Sequence, residues 1–193
     1  HLGTAEAIVA CLVVAIVVTG PLPRALPSGG FQSLRVLALT TLPATFLVIL
    51  LGSYMTGVGY GSSCSTWPLC HGSIVQDGSA YTINMAHRLS AGILGLLIIA
   101  TATSAWGRRA ILPHVWLASL AAVALIITQS LVGAAIVWTG FSAHLKAFHV
   151  TIATLLWTAV AFVATVEIVY GRLRVGAEAN HDEAGSYQEG STR

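Results

Sequence analysis

The sequence predicts an all-α protein, a transmembrane four-helix bundle preceded by the remnant of one further transmembrane helix. Three observations predict it. Of 193 residues, 55% are hydrophobic and only 8% are charged, whereas a soluble domain carries about 25% charged residues. Mean hydropathy is +0.81, too apolar for a water-facing surface, so the expected solvent is lipid. The apolar residues are also gathered into five runs, separated by Pro/Gly-rich or polar segments. The formal net charge of +2 is small and scattered, which argues against nucleic acid as a partner.

The first run, Leu2–Thr19, follows His1 directly and shows neither the basic start nor the cleavage site of a signal peptide. It is slightly shorter than the ~20 residues that cross a bilayer. Residues 1–20 are therefore expected to be the last helix of a missing N-terminal half. Pro21, Pro23 and Pro27, followed by Ser28-Gly29-Gly30, stop a helix and make 21–33 a cytoplasmic linker. The runs Leu34–Met55, Leu89–Trp106, Val115–Trp138 and Val150–Tyr170, with their flanks, are each long enough to span and define a bundle over 34–172. Residues 173–193 are polar and Gly/Glu/Ser-rich, and are expected to be a disordered cytoplasmic tail.

The basic residues orient this arrangement. Arg24 and Arg35, Arg108 and Arg109, and Arg172 and Arg174 fall on one side of an alternating topology. The opposite side holds the Gly57–Tyr81 loop, which has no Lys or Arg, and a short turn near Gly140–Lys146. By the positive-inside rule the basic side is cytoplasmic, the cysteine-containing loop lies outside and the C-terminus inside. An internal echo supports the missing half. His1-Leu-Gly-Thr-Ala and His149-Val-Thr-Ile-Ala each open an apolar helix from the same side, as a duplicated unit would. A tag remnant or chance would also place a histidine at position 1.

Two histidines lie within the membrane runs at matched depth, His87 and His149. Ionisable residues there are functional candidates by default. Facing each other across a bundle, two imidazoles can ligate one haem iron from both sides. The plainer reading is two structural histidines bonded to backbone or hydroxyl groups. Arg88 is either a partner for a haem propionate or a snorkelling interface anchor. Cys64 and Cys70, in Cys-Ser-Thr-Trp-Pro-Leu-Cys, favour a disulfide in an outer compartment. A metal site with His71 and a redox-active dithiol are the rivals. Cys11 reads as packing. Gln129 is a candidate bond across the bundle near the cofactor, and Trp67 and Trp138 suit the membrane interface. Gly92, Gly95, Gly133, Ala134 and Ala135 allow close approach of helices or of a flat macrocycle. His71, His114, His144 and His181 lie in loops, at a boundary or in the tail, and are not expected to be ligands.

Taken in order, Gly52-Ser-Tyr-Met-Thr-Gly-Val-Gly, the Cys64–Cys70 loop with His71-Gly72, Ala86-His87-Arg88, Gln129-Ser-Leu-Val-Gly-Ala and Ala147-Phe-His149 resemble the haem A synthase family. The likeness covers about residues 34–170. It implies two four-helix halves, each with paired histidines, and successive hydroxylation of the C8 methyl of haem O to the formyl of haem A. In the family's substrate half a glutamate stands three residues before the His-Arg histidine, where this chain has Asn84. The resemblance therefore implies the C-terminal half, with His87 and His149 as axial ligands of a haem b and no catalytic residue of its own. It makes His1 the last histidine of the missing half. Ser65 and Thr66 depart from the family's commoner Cys-Pro-Asp-Trp-Pro-Leu-Cys. Implied partners are haem O in the other half, haem O synthase or cytochrome oxidase assembly factors, and the lipid bilayer of a bacterial or archaeal cell. The rival readings are a b-type cytochrome using the same histidines, a transporter or assembly scaffold with structural ones, and a half-length synthase paired as a homodimer.

Overall fold

The computed structural model describes residues 1–20, 32–75 and 77–191, with side chains as far as Leu173. Most of the expected linker, residues 21–31, lies outside them. The described residues form five α-helices, a single 3-10 turn at Tyr60–Ser62 and no strand, and each α-helix is long and apolar enough to cross a membrane. Helices α2 (Gln32–Gly57), α3 (Ser79–Trp106), α4 (Pro113–Trp138) and α5 (Ala143–Ser191) pack in sequence order, and α5 closes the ring against α2. Helix α1 (Leu2–Thr19) lies outside the ring, mainly against α5. A helix of 26 residues such as α4 is about 39 Å long, more than the ~30 Å of hydrocarbon it must cross.

Local chemistry sets the helix ends. Pro113 occupies the first turn of α4, where no amide hydrogen is needed. Gly140, at φ 70°, provides the left-handed turn out of α4 that a side chain would resist. Two boundaries differ from the sequence reading. Helix α3 starts at Ser79, ten residues before the apolar run, because Asn84 and Arg88 interrupt the hydropathy without interrupting the helix. Helix α5 continues to Ser191 through the expected tail, and its membrane-suited part ends at Leu173. Ala177, Glu178, Ala179, Glu183 and Ala184 are strong helix formers, which is the local reason for the continuation.

The packed core of the bundle is built in layers. Leu34, Ala38, Leu112, Val115, Ala164 and Tyr170 form its base. Leu94, Ile98, Ala122, Ile126, Leu156 and Val160 form the next layer. Lipid offers no hydrophobic force between helices, so alanines that allow close approach and cross-helix hydrogen bonds hold such a bundle. One such bond joins the Thr41 and Thr101 hydroxyls at 3.1 Å, linking α2 to α3. At the base, Arg108 donates to both carboxylate oxygens of Glu167, at 3.1 and 3.2 Å. The Arg35 guanidinium lies against Gly171, where a Cβ would stand 2.8 Å from its Nη1. Arg35 and Arg108 thus lie at one end of the bundle, and the cysteine loop sits at the other.

Helix α1 is held to α5 by polar bonds. The Thr154 hydroxyl donates to Glu6 Oε1 at 2.6 Å, and Trp157 Nε1 donates to the Glu6 carbonyl at 2.7 Å. Glu6 follows His1 by five residues and Thr154 follows His149 by five. The contact therefore joins corresponding positions of the two echoed segments. Cys11, read as packing, faces outward instead.

Candidate cofactor site

The loop end of the bundle carries the candidate residues. His87 is eight residues into α3 and His149 six residues into α5, so the two lie about 12 and 9 Å inside their helix starts. Both are half-buried. Each ring lies over a glycine of a neighbouring helix. A Cβ on Gly52 of α2 would stand 2.8 Å from His87 Cε1, and one on Gly133 of α4 would stand 3.5 Å from His149 Cε1. Gln129 is one turn before Gly133 on α4.

Three polar atoms here are buried without a hydrogen-bond partner: His87 Nδ1, His149 Nδ1 and Gln129 Oε1. Native interiors leave few such groups. The middle apolar cluster reaches Leu94, Ile126 and Leu156, and Ala134 and Ile152 are buried at the level of these residues. Two imidazoles at this end of the bundle, with glycines where side chains would intrude, fit a flat group ligated from both sides.

The outer loop roofs this end. The Cys64 and Cys70 sulfurs stand 2.08 Å apart, and both residues are fully buried against Met85. Arg88 Nη1 donates to the carbonyls of Thr66 at 2.6 Å and Pro68 at 3.1 Å, and Nη2 donates to Cys64 at 3.3 Å. The guanidinium fork thus gathers the loop beside the histidine it follows in sequence. Asn84, one turn earlier, donates from Nδ2 to the Tyr60 carbonyl at 3.2 Å and to Ser63 Oγ at 3.4 Å. Trp67 and Trp138 meet edge to face at 5.8 Å, closing the loop onto the end of α4. His71 approaches Ser65 and Tyr81, His114 stacks near Phe162, and His144 is exposed. The side chain of His181 lies outside the described residues. Among the described residues, no three His, Cys, Asp or Glu side chains cluster as a metal site.

The family model described as cytochrome oxidase assembly protein, COX15-CtaA, matches residues 78–189. The chain belongs to this family. The match takes in α3, α4 and most of α5, and with them His87, Arg88, Gln129 and His149. Among similar proteins, a haem A synthase of Alkalihalophilus pseudofirmus is 33% identical over 144 residues, covering 73% of this chain and 48% of that protein. One of Shouchella clausii is 34% identical over 135 residues, covering 68% and 45%. A third, of an Exiguobacterium species, is 38% identical over 98 residues, covering 48% and 32%. The chain thus spans about half the length, or less, of these haem A synthase relatives. As a member of the COX15-CtaA family it is an all-helical integral membrane protein, as the sequence predicted.

Sequence reasoning singled out both histidines but missed what they rest on. Gly52 was legible only as the start of a Gly-rich helix end, because its partner His87 is on another helix. Asn84 was noticed for the carboxylate it lacks, whereas in the structure it ties the loop to α3.

Proposed function

We propose that this chain is the electron-transfer half of a haem A synthase, whose whole protein oxidises the C8 methyl of haem O to the formyl of haem A. The observation that carries the reading is the matched pair of half-buried imidazoles at the loop end of the bundle, each bedded on a glycine. Here His87 and His149 bind haem b as axial ligands. Such a group supplies one-electron chemistry, and ligation on both faces leaves no open position for oxygen. The chain's own residues position it: α3 and α5 present the histidines, the Gly52 and Gly133 sites leave room, and Arg88 holds the loop above. Asn84 has no carboxylate to act as acid or base, which supports placing the oxidation in the other half, where haem O binds.

The remaining parts of the proposal follow from the same frame. Cys64 and Cys70 form a disulfide that braces the outer loop. The arginine-bearing end faces the cytoplasm of a bacterial or archaeal cell and the loop faces outward. Haem O synthase and cytochrome oxidase assembly factors are the partner class. A reduced-minus-oxidised absorption spectrum of the detergent-purified protein, repeated on His87→Ala and His149→Ala, tests the site. A sharp low-spin b-type band lost in either variant is the expected result. A folded protein without haem, indifferent to both changes, would overturn it. A b-type cytochrome would use the same pair, and haem A formation by the whole protein separates the two.

A further inference from the structure

We propose that Gly52 and Gly133 are positioning residues: each uncovers the main-chain carbonyl one turn before it, Val48 on α2 and Gln129 on α4, as the acceptor for the Nδ1–H of His87 or His149, which reserves Nε2 of each ring for the iron. The inference rests on the haem reading above and adds to it the groups that set the ligand tautomers.

The argument starts from helix geometry. A Cβ tilts toward the helix N-terminus and covers the preceding turn, so a side chain at position 52 would lie over the carbonyl of Val48. Without one, the imidazole of His87 fills that place, its Cε1, Nδ1 and Nε2 lying 2.8, 3.3 and 3.5 Å from where a Cβ would stand. The same relation recurs at the second histidine, where His149 Cε1 is 3.5 Å from a Cβ built on Gly133. In both cases the helix carbonyl that the missing side chain leaves uncovered belongs to the residue four before the glycine, Val48 beside His87 and Gln129 beside His149. Both Nδ1 atoms are buried without a hydrogen-bond partner, so neither is committed to a competing acceptor.

The chemistry requires such a partner. A neutral imidazole carries its proton on one nitrogen and offers a lone pair on the other. A metal-bound histidine therefore donates its remaining N–H to an acceptor that fixes the tautomer and the ring plane and raises ligand basicity. A carbonyl one turn before a glycine is such an acceptor, and the bundle holds one for each histidine on the helix beside it. Ligation of Nε2 draws each ring into line with its carbonyl.

The two sites differ in room, which makes the test selective. At position 52 an added methyl must displace the ring. At position 133 it meets the ring at ordinary contact distance and only masks the carbonyl. Gly107, at the far end of α3 from the histidines, would bring an added Cβ only to 3.7 Å from the Ser104 carbonyl and is the control. The protein would be purified with its haem as wild type and as Gly52→Ala, Gly133→Ala and Gly107→Ala. Haem content, haem affinity, the low-spin electron paramagnetic resonance signal and the reduction midpoint would be measured. Gly52→Ala is expected to lose haem affinity at least about tenfold. Gly133→Ala is expected to keep the fold, with a shifted low-spin signal, a raised midpoint and affinity reduced by about tenfold. Gly107→Ala should match wild type. If Gly52→Ala does not fold, Gly133→Ala decides alone. Haem-loaded Gly133→Ala indistinguishable from wild type and Gly107→Ala would overturn the inference and leave the haem reading standing. Wild-type protein that takes up no haem would overturn both.

Discussion

Replacing Arg108 by Met removes the counter-charge from one of the most deeply buried acids in the chain. The Glu167 side chain is 2% exposed and that of Arg108 10%, and Nη1 bridges both carboxylate oxygens at 3.1 and 3.2 Å. Breaking a buried pair from one side costs about 3–5 kcal/mol, because the remaining charge stays desolvated. Arg35 also acts on Glu167, which places the expected cost at the low end, about 3 kcal/mol. For a chain of this size that lowers the melting temperature by roughly 6–12 °C. Replacing both partners, Arg108→Met with Glu167→Leu, removes the desolvation cost along with the attraction and is expected to return within about 1 kcal/mol of wild type. Thermal unfolding in detergent, followed by circular dichroism for wild type, both single variants and the double variant, gives the coupling energy. Two single costs that simply add in the double variant would refute the reasoning, as would an Arg108→Met variant that melts with wild type.

Three further outcomes are expected. Of the three cysteines, only Cys11 should be alkylated in the unfolded, unreduced protein, and all three after reduction; three labels before reduction would count against the Cys64–Cys70 bond. Asn84→Ala deletes the donor to the Tyr60 carbonyl and Ser63 Oγ, costing about 1–3 kcal/mol. It should speed amide exchange in residues 58–66 while leaving the base of the bundle protected. Trp157→Phe keeps the ring but loses the bond to the Glu6 carbonyl. A cost of about 1 kcal/mol should appear as easier cross-linking of a cysteine placed on α1, and unchanged cross-linking would argue that the bond holds nothing.

The spans were legible because lipid imposes one rule, an apolar run of fixed length, and four of the five appear close to where hydropathy places them. The start of α3 was not legible, since Asn84 and Arg88 count as polar in any window although loop carbonyls satisfy them. The histidine pair was visible because an imidazole in an apolar run is costly and so conspicuous. Gly52 and Gly133 were not recognisable as their beds, because a glycine records what it leaves room for only when the neighbouring helix is in place. Likewise Arg108 counted as a surface cation in the sequence, and its pairing with Glu167 depends on a contact 59 residues away. The Glu6–Thr154 contact had a faint trace, the equal spacing from His1 and His149, but spacing alone does not say that two helices touch.

Helix α5 carries a part of three attachments spread along the bundle: His149 near the loop end, Thr154 and Trp157 holding α1, and Glu167 at the base. It is also the helix that the ribosome delivers after the other four. Until it arrives, α2, α3 and α4 lack the helix that closes their ring, Glu6 is without its hydroxyl partner, and His87 is without His149. Closing the bundle, clasping α1 and bringing the second histidine to the loop end are therefore one late step in biogenesis. On the haem reading proposed above, a cofactor that enters during synthesis would meet an open side of the bundle, which the arrival of α5 would shut as it supplies the second imidazole.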